Sequence, residues 1–332
     1  MQLRIAAKMP NLLYVNSEVP TMETKELGKT GEKIPAIGIG TWKMGAHYND
    51  ELSAIRKAID LGMSFVDTAE MYANEAFVGE AIKGRQVFVA TKVSPQHLHY
   101  NDVIKACNAS LSRLNVKHID LYQIHWPNSS IPINETMKAM EKLVDDGKIR
   151  YIGVSNFSIE ELNEAQESMK KYDIVSNQVE YSIMVRNIED GLIDYCKDEH
   201  ISVIAYSPLA RGAIFDKWNK DLLVFLNDIG ARHSKSASQV ALNYLISRDN
   251  VFAIPKAGSV AHIEENAGAA GWRLSVDEAA SIKNFLIAHR MKLQSLHSMG
   301  SISPRIVPFA AKLLTFAYAL KYGKKRSKKR RT

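Results

Sequence analysis

The sequence is poor in cysteine and in long apolar runs. Among its 332 residues are two cysteines, Cys107 and Cys196, each in a helical pattern without a CxxC or a Cys/His cluster. This excludes a disulfide scaffold and predicts inert, buried or half-buried thiols in a reducing, cytoplasmic setting. The apolar stretch near the N-terminus is interrupted by Pro10, Asn11 and Asn16, so we predict no signal peptide.

Two phosphate-binding motifs and a metal-binding motif are missing as well. Gly38 and Gly40 are followed by Lys43 where a GxGxxG fingerprint needs its third glycine, and no GxxxxGK[ST] sequence occurs. These absences argue against a Rossmann dinucleotide fold and against a P-loop kinase or ATPase. Without His-x-His after the first strand, a metal-dependent hydrolase is disfavoured and no metal is expected. The two glycines are expected to allow close backbone packing.

An excess of charge of one sign is confined to a single segment. The net charge is +7, but residues 321–332 contain eight basic side chains and no acid, so the rest of the chain carries −1. The basic isoelectric point therefore describes a tail, and a nucleic-acid partner is not expected for the main body.

An apolar segment, residues 306–320, precedes this basic tail and is interrupted by Lys312 and Thr315. It is shorter than the roughly 20 residues that a membrane span needs. Its apolar residues recur at helical spacing, which suits an amphipathic helix. Three roles stay open: packing on the main body or on a second copy, peripheral contact with an anionic membrane, and contact with nucleic acid. We expect a monomer or a weak homo-oligomer.

Short apolar strands alternate with amphipathic helical patterns along most of the chain. Eight strands are predicted, at residues 37–42, 65–69, 87–93, 119–125, 150–155, 175–181, 201–207 and 251–255. Helical patterns are predicted between them, at residues 51–61, 101–114, 136–145, 159–171, 188–199, 236–247 and 260–270. This rhythm predicts an α/β fold, a single (β/α)₈ TIM barrel with its chemistry at the C-terminal ends of the strands. A doubly wound sheet is disfavoured because polar candidates follow nearly every strand, whereas a switch-point cleft draws on a few.

A β-hairpin with a glycine-bearing turn is predicted at residues 24–35, where it could plug the barrel bottom. We therefore expect three parts: an N-terminal extension at 1–21, the barrel at 22–290, and a C-terminal extension at 291–332 with an apolar helix and a polybasic tail. Met22, directly before the hairpin, is a candidate translation start.

Four polar residues stand at or just beyond the ends of three predicted strands. They are Asp67, Tyr72, Lys92 and His125. Singly, each has an ordinary explanation, such as a buried ion pair, a packing aromatic residue or a core histidine. Together they suit proton transfer to a carbonyl oxygen as a hydride arrives, so the set predicts a carbonyl reductase site.

The chemistry of this tetrad follows from its charges. A free tyrosine has a pKa of about 10, so Tyr72 is neutral and can donate a proton. An ammonium at Lys92 would lower the pKa of Tyr72, and Asp67 would hold Lys92 charged. His125 would donate a hydrogen bond to the carbonyl oxygen. Glu75, at the start of the next helix, is assigned to charge complementarity with the helix dipole.

Seven segments then occur in the order typical of one family: residues 38–42, 67–75, 120–127, 147–157, 177–181, 206–210 and 254–259. On these motifs the chain, from about residue 23 to about residue 287, resembles an aldo-keto reductase. The resemblance implies an NADP-dependent oxidoreductase that reduces aldehydes or ketones, with Tyr72 as the proton donor.

The resemblance also implies how a cofactor is held. Ser155, Asn156 and Gln178 would bind the nicotinamide amide, and Tyr206 would stack on its ring. The remaining cofactor contacts implied are Gly40, Thr41 and Trp42 at the first strand, Ser207, Leu209 and Gly212 over the pyrophosphate, and Lys256, Ser259, His262, Glu265 and Asn266 around the adenosine. For the last three of these, a solvated helix face is the alternative.

NADPH is the expected cofactor because Lys256 and Ser259 suit a ribose 2′-phosphate. His262 stands where many members carry arginine, a permanently charged donor, so NADH is a weaker alternative. Trp42, Tyr48 and Trp126 are expected to line the opening for a small carbonyl substrate.

A second function stays open beside the reductase. Some proteins of this family resemble channel β-subunits that bind NADPH as a regulatory ligand, and a membrane-seeking tail would suit that role. The intact tetrad favours the enzyme, since a sensor does not need Tyr72.

Overall fold

Eight parallel strands follow one another around a single barrel. A computed structural model describes residues 22–298, with side chains described to residue 289. The barrel strands are β3 (Ile39–Gly40), β4 (Phe65–Asp67), β5 (Phe88–Val93), β6 (Ile119–Ile124), β7 (Ile149–Ser155), β8 (Ile174–Glu180), β9 (Ser202–Tyr206) and β10 (Val251–Ala253), after the hairpin strands β1 (Thr24–Glu26) and β2 (Lys33–Pro35). Each barrel strand pairs with the next in parallel.

The barrel closes between its first and last strands. The amide of Gly38 donates to the carbonyl of Ala253 over 2.9 Å, and the amide of Ala253 donates to Ala36 over 3.0 Å. A Cβ atom at Gly38 would lie 2.5 Å from the carbonyl oxygen of Phe65, and one at Gly40 would lie 2.7 Å from that of Ile254. Only glycine fits such close backbone approaches. The predicted (β/α)₈ barrel is confirmed.

The hairpin of β1 and β2 covers the bottom of the barrel, as expected. Its Leu27 and Ile34 are buried in one apolar cluster with Phe65, Leu121 and Phe252. A larger apolar cluster lies between the strands and the surrounding helices. The strands are therefore buried on both faces, which is typical of parallel sheets.

Ten α-helices are described in residues 22–298. They are α1 (Tyr48–Asp60), α2 (Glu75–Ile82), α3 (Tyr100–Leu114), α4 (Ile133–Asp145), α5 (Ile159–Glu167), α6 (Leu192–Asp198), α7 (Lys220–His233), α8 (Ala237–Ile246), α9 (Val260–Ala267) and α10 (Val276–Ser298). The seven predicted helical patterns fall on observed helices, and α2 is the further helix that was expected to start at Glu75. The helix predicted at 188–199 begins late, because Gly191 has φ 108° and separates a short 3₁₀ helix from α6.

Two helices were not predicted. α7 buries Leu222, Leu226 and Ile229 on one face, and α10 packs against it. The rings of Phe225 and Phe285 stack there, with centroids 4.2 Å apart. α10 continues past residue 290, so the domain boundary predicted at that point falls within a helix.

The predicted N-terminal extension at 1–21, the apolar segment at 306–320 and the basic tail at 321–332 lie outside the described residues. Within the described part, no helix combines the length and apolar composition that crossing a membrane requires. Cys107 and Cys196 are free and buried, and burial raises the pKa of each thiol to about 12. The prediction of unpaired, buried and inert thiols agrees with this.

Lys25 ties the hairpin to the barrel. Its ammonium donates to the carbonyl oxygens of Ile246, Arg248 and Val251 over 2.5, 2.7 and 2.9 Å. The first of these carbonyls belongs to the last turn of α8, where backbone acceptors lack helical partners and a cation is favourable. One side chain therefore links β1 with the end of α8 and the start of β10.

Replacing Lys25 with methionine should lower the free energy of unfolding by about 2 kcal/mol, because backbone acceptors lose a charged donor. Urea unfolding measures the change. Lys33→Met is the matched control, since Lys33 is an exposed residue of the partner strand β2. An equal loss in both variants would contradict the role of Lys25.

Candidate active site

A buried ion pair lies at the centre of the barrel mouth. Lys92 is fully buried on β5, and its ammonium donates to Oδ1 of Asp67 over 2.6 Å and to the carbonyl oxygen of Thr68 over 2.8 Å. Burial alone would lower the pKa of Lys92, but the charge of Asp67, the neighbouring Tyr72 and the hydrogen bonds to both together outweigh burial, and the net pKa is raised. Lys92 is therefore a fixed cation at neutral pH.

The second carboxylate oxygen of Asp67 accepts from two amides. Gln178 Nε2 on β8 donates to Oδ2 over 2.8 Å, and Gln123 Nε2 on β6 donates over 3.3 Å. Gln178 also donates to Gln123 Oε1 over 3.3 Å. Gln123 was not predicted as a site residue. What could have indicated its role is that it is a polar amide side chain within a strand whose residues are all buried.

Glycine makes room for this arrangement. A Cβ atom at Gly153 on β7 would lie 3.0 Å from the Cγ atom of Gln123 and 2.5 Å from Oγ of Ser176. Four strands therefore contribute to the site: β4 carries the carboxylate, β5 the ammonium, and β6 and β8 the two amides.

Tyr72 lies at the end of a 3₁₀ helix, Glu70–Tyr72, in the loop after β4. Glu70 anchors this turn, because its carboxylate accepts from the amide of Ser94 over 2.8 Å and contacts Nδ1 of His97 at 2.7 Å. The ring centroid of Tyr72 is 5.0 Å from Nζ of Lys92. The loops after β4 and β5 together thus place the phenol beside the ammonium.

The net pKa of Tyr72 corrects one expectation. Burial raises it, and this effect outweighs the charge and hydrogen bonding of Lys92, which lower it. The predicted direction of the Lys92 contribution is right, but the net pKa lies above the usual value of about 10. Tyr72 therefore keeps its proton at neutral pH.

His125 follows β6 and faces Tyr72 edge-on, with ring centroids 5.5 Å apart. Its side chain is buried, and Nδ1 has no hydrogen-bond partner among the described residues. Burial first, and the charge of Lys92 second, lower its pKa to about 3. The imidazole is consequently neutral across the physiological range.

The residues predicted to hold an amide ring form a connected set. Tyr206 donates through its hydroxyl to Oδ1 of Asn156 over 3.0 Å, and Asn156 donates to Oγ of Ser155 over 2.9 Å. Ser155 in turn donates to the carbonyl of Gln178 over 2.8 Å. Asn156 has φ 65°, a left-handed conformation that asparagine tolerates better than most residues. Gln178 joins this set to Asp67.

The loop after β9 has unusual backbone. Ser207 has φ 50° and Gly212 has φ 87°, on either side of the partly buried Leu209. Arg211 lies 5.4 Å from the ring of Trp42, measured from its guanidinium carbon. The loop thus reaches from β9 towards the first strand across the barrel mouth.

Residues around α9 divide into two groups. Ser259 caps the helix, since its Oγ accepts from the amide of His262 over 3.4 Å, and Lys256 stands ahead of it with a partly exposed side chain. His262 is exposed, which fits either binding or a solvated face. Asn266 is buried, and Glu265 accepts from Ser236 Oγ over 2.8 Å. A solvated face is therefore the wrong description for Asn266.

Aromatic side chains surround the opening. Trp42, Tyr48 and Trp126 are 43%, 48% and 42% exposed. Tyr48 packs edge-on against Phe77, with ring centroids 5.1 Å apart. Thr41 is buried behind them and donates through its hydroxyl to the carbonyl of Asp67 over 3.0 Å.

Two further polar residues support the loops. Asn74 donates to the carbonyl oxygens of Thr41 and Met44 over 2.7 and 3.2 Å, which fixes the loop after β3. Glu75 begins α2 as predicted, but it is buried and accepts from Thr91 and Arg113 over 2.6 and 2.7 Å. Its role thus extends beyond the helix dipole. No cluster of three or more metal-ligating side chains occurs among the described residues.

Comparisons with known proteins agree on one family. The model for the "Aldo/keto reductase family" matches residues 36–287. Methylglyoxal reductase YeaE of Escherichia coli is 40% identical over 271 residues, covering 79% of this chain and 94% of that protein. Glyoxal reductase of Bacillus subtilis is 35% identical, covering 76% and 89%. The crystal structure of an aldo-keto reductase from Klebsiella pneumoniae in complex with NADPH superposes with a TM-score of 0.75, at 36% identity, covering 80% and 95%.

Removing one partner of the central ion pair should destabilise the protein strongly, whereas removing both partners together should destabilise it little. Asp67→Asn should lower the free energy of unfolding by about 3–5 kcal/mol, because it leaves the Lys92 ammonium buried without an anion. The double variant Asp67→Asn/Lys92→Met should recover most of that loss. Urea unfolding of the unmodified protein, the two single variants Asp67→Asn and Lys92→Met, and the double variant gives the coupling energy. Additive losses of stability would disprove the pairing.

His125 should stay uncharged when the protein is acidified to about pH 5, because burial holds its pKa at about 3. Nitrogen-15 NMR of the histidine rings measures this, with His125→Gln identifying the signal. A charged His125 ring at pH 5 is the outcome that would contradict this.

Proposed function

Since the chain belongs to the aldo/keto reductase family, we propose that it reduces small aldehydes or ketones to alcohols, with Tyr72 as the proton donor. It is an NADP-dependent oxidoreductase of carbonyl groups. The observation that carries the proposal is the Lys92–Asp67 pair beside Tyr72, buried at the mouth of the barrel.

NADPH, when bound, supplies the hydride that adds to the carbonyl carbon. The residues of this chain donate the proton and stabilise the charge that remains. Tyr72 keeps its proton in the resting site and releases it to the carbonyl oxygen as that oxygen becomes negative. The phenolate left behind lies next to the Lys92 ammonium, which stabilises it. Asp67 keeps Lys92 charged and in place.

His125 contributes as a neutral group. With a pKa of about 3, the His125 ring is neutral and carries a single N–H group. That N–H can donate one hydrogen bond to the carbonyl oxygen. That bond would fix the face of the carbonyl presented to the hydride. Two groups, a phenol and an imidazole, then converge on one oxygen, with ring centroids 5.5 Å apart.

The residues present fit a nicotinamide nucleotide. Ser155, Asn156 and Gln178 place hydroxyl and amide groups together, which suits a carboxamide, and the flat side chain of Tyr206 lies next to them. Lys256 offers an ammonium beside the capped N-terminus of α9, where a phosphate is favoured. This arrangement supports NADPH. NADH remains possible as a weaker alternative, because His262 stands where many family members carry an arginine that would bind the 2′-phosphate.

For the substrate we propose small aldehydes with a second carbonyl group. The Escherichia coli and Bacillus subtilis relatives are named for methylglyoxal and glyoxal. The opening formed by Trp42, Tyr48 and Trp126 offers broad apolar contact to such compounds. Cytoplasmic location, a monomer or weak homo-oligomer, and peripheral membrane contact through the tail remain predictions from the sequence.

Tyr72→Phe should reduce the turnover of methylglyoxal by about two to four orders of magnitude, because it removes the proton donor. Binding of NADPH should be retained, since the phenol is outside the amide-binding set. NADPH consumption followed by absorbance measures turnover, and fluorescence titration measures binding. Tyr172→Phe is the control, because it removes a phenol hydroxyl from a half-buried tyrosine that donates to Asp145.

Tight NADPH binding without turnover of any small aldehyde in the unmodified protein would reject the reductase. The regulatory function, in which NADPH acts as a bound signal, would then take its place.

A further inference from the structure

Glu51 is a buried carboxylate outside the tetrad, on the first turn of α1. Its side chain is 3% exposed. One oxygen, Oε2, accepts from the amides of Gly45 and His47 over 2.7 and 3.2 Å. These amides belong to the loop that connects Trp42 of the substrate opening with Tyr48 at the start of α1. Glu51 therefore fixes the shape of that loop.

The other oxygen faces a different part of the site. Oε1 of Glu51 lies 3.4 Å from Nζ of Lys256, beyond the last strand. A Cβ atom at Gly258 would lie 3.2 Å from that ammonium and 3.3 Å from Oε1, so glycine leaves room for the pair. One carboxylate thus contacts the substrate loop with one oxygen and the phosphate-facing lysine with the other.

Glu51 is ionised in this position. Burial would raise its pKa, but the two backbone hydrogen bonds and the charge of Lys256 outweigh burial, and the net pKa is lowered. A full negative charge consequently lies next to the ammonium that a 2′-phosphate would use. That charge offsets part of the Lys256 attraction for a phosphate and repels the phosphate directly.

We propose that Glu51 limits the preference of this protein for NADPH over NADH, while its backbone contacts hold the loop that carries the substrate opening. The inference rests on the proposed function, in which Lys256 receives the 2′-phosphate. Glu51 acts through Lys256 and the loop, so it is a positioning residue without contact to the reacting atoms.

Glu51→Gln separates the two roles. A glutamine carbonyl oxygen in the place of Oε2 keeps both backbone hydrogen bonds, and its NH₂ group removes the negative charge facing Lys256. Isothermal titration calorimetry on the full chain would measure the dissociation constants of NADPH, NADH and 2′,5′-ADP. We expect the ratio of the NADH to the NADPH constant to rise about three- to tenfold, with a similar gain for 2′,5′-ADP.

Two other variants define the result. Glu80→Gln changes the net charge equally. Glu80 lies on α2, and its carboxylate pairs at 3.4 Å with Arg56 of α1, so the ratio should not change. Glu51→Leu should raise the ratio and also raise the KM for methylglyoxal, because the loop loses both hydrogen bonds. Glu51→Gln should leave that KM nearly unchanged.

An unchanged or lower ratio in Glu51→Gln, with NADPH still bound, would overturn the inference and leave the proposed function intact. A ratio that rises equally in Glu80→Gln would also overturn it, since the effect would then reflect net charge. If the unmodified protein binds neither NADPH nor NADH, the proposed function itself fails and the inference fails with it.

Discussion

The site depends on one buried charge pair, Lys92 with Asp67. An ammonium without solvent is tolerated only when anions and carbonyl oxygens surround it, and here a carboxylate oxygen and the Thr68 carbonyl do so. The second carboxylate oxygen is satisfied by Gln178 and Gln123. Because these groups come from β4, β5, β6 and β8, the pair requires the barrel to keep its register. The cost of separating the charges thus links the chemistry to the fold.

Desolvation then sets the protonation state of the neighbours. It raises the pKa of Tyr72 and lowers that of His125, because burial disfavours the charged form of either group. Lys92 opposes the first effect and reinforces the second. The result is one buried cation near two neutral rings, a phenol that keeps its proton and an imidazole that takes up none. The proposed reduction would use that distribution, since the phenol would release its proton only as negative charge develops on the substrate oxygen.

How much could be predicted from the sequence depended on the range of the interactions. The eight strands follow from local periodicity, and strand ends in a parallel barrel meet at one edge, so Asp67, Lys92 and His125 could be placed together without coordinates. Gln123 and Glu51 were not singled out. A buried amide in a strand, or an acid on a helix, acquires its role from partners such as Asp67 or Lys256 that are distant in sequence. The helices α7 and α10 were missed although α7 has a regular apolar face.

Two residues at the barrel mouth each connect two parts of the candidate site. Gln178 connects the residues suited to an amide ring with Asp67, and Glu51 connects the loop of the substrate opening with Lys256. Gln178 does this with its main-chain carbonyl, which accepts from Ser155, and its side-chain amide, which donates to Asp67, whereas Glu51 uses its two carboxylate oxygens. A nucleotide lying across the mouth would therefore meet groups whose positions depend on the tetrad at one end and on the substrate loop at the other. Under the proposed function, cofactor recognition and carbonyl chemistry would share these supports, and a variant that removes the hydrogen bonds of the carboxylate, such as Glu51→Leu, should affect both.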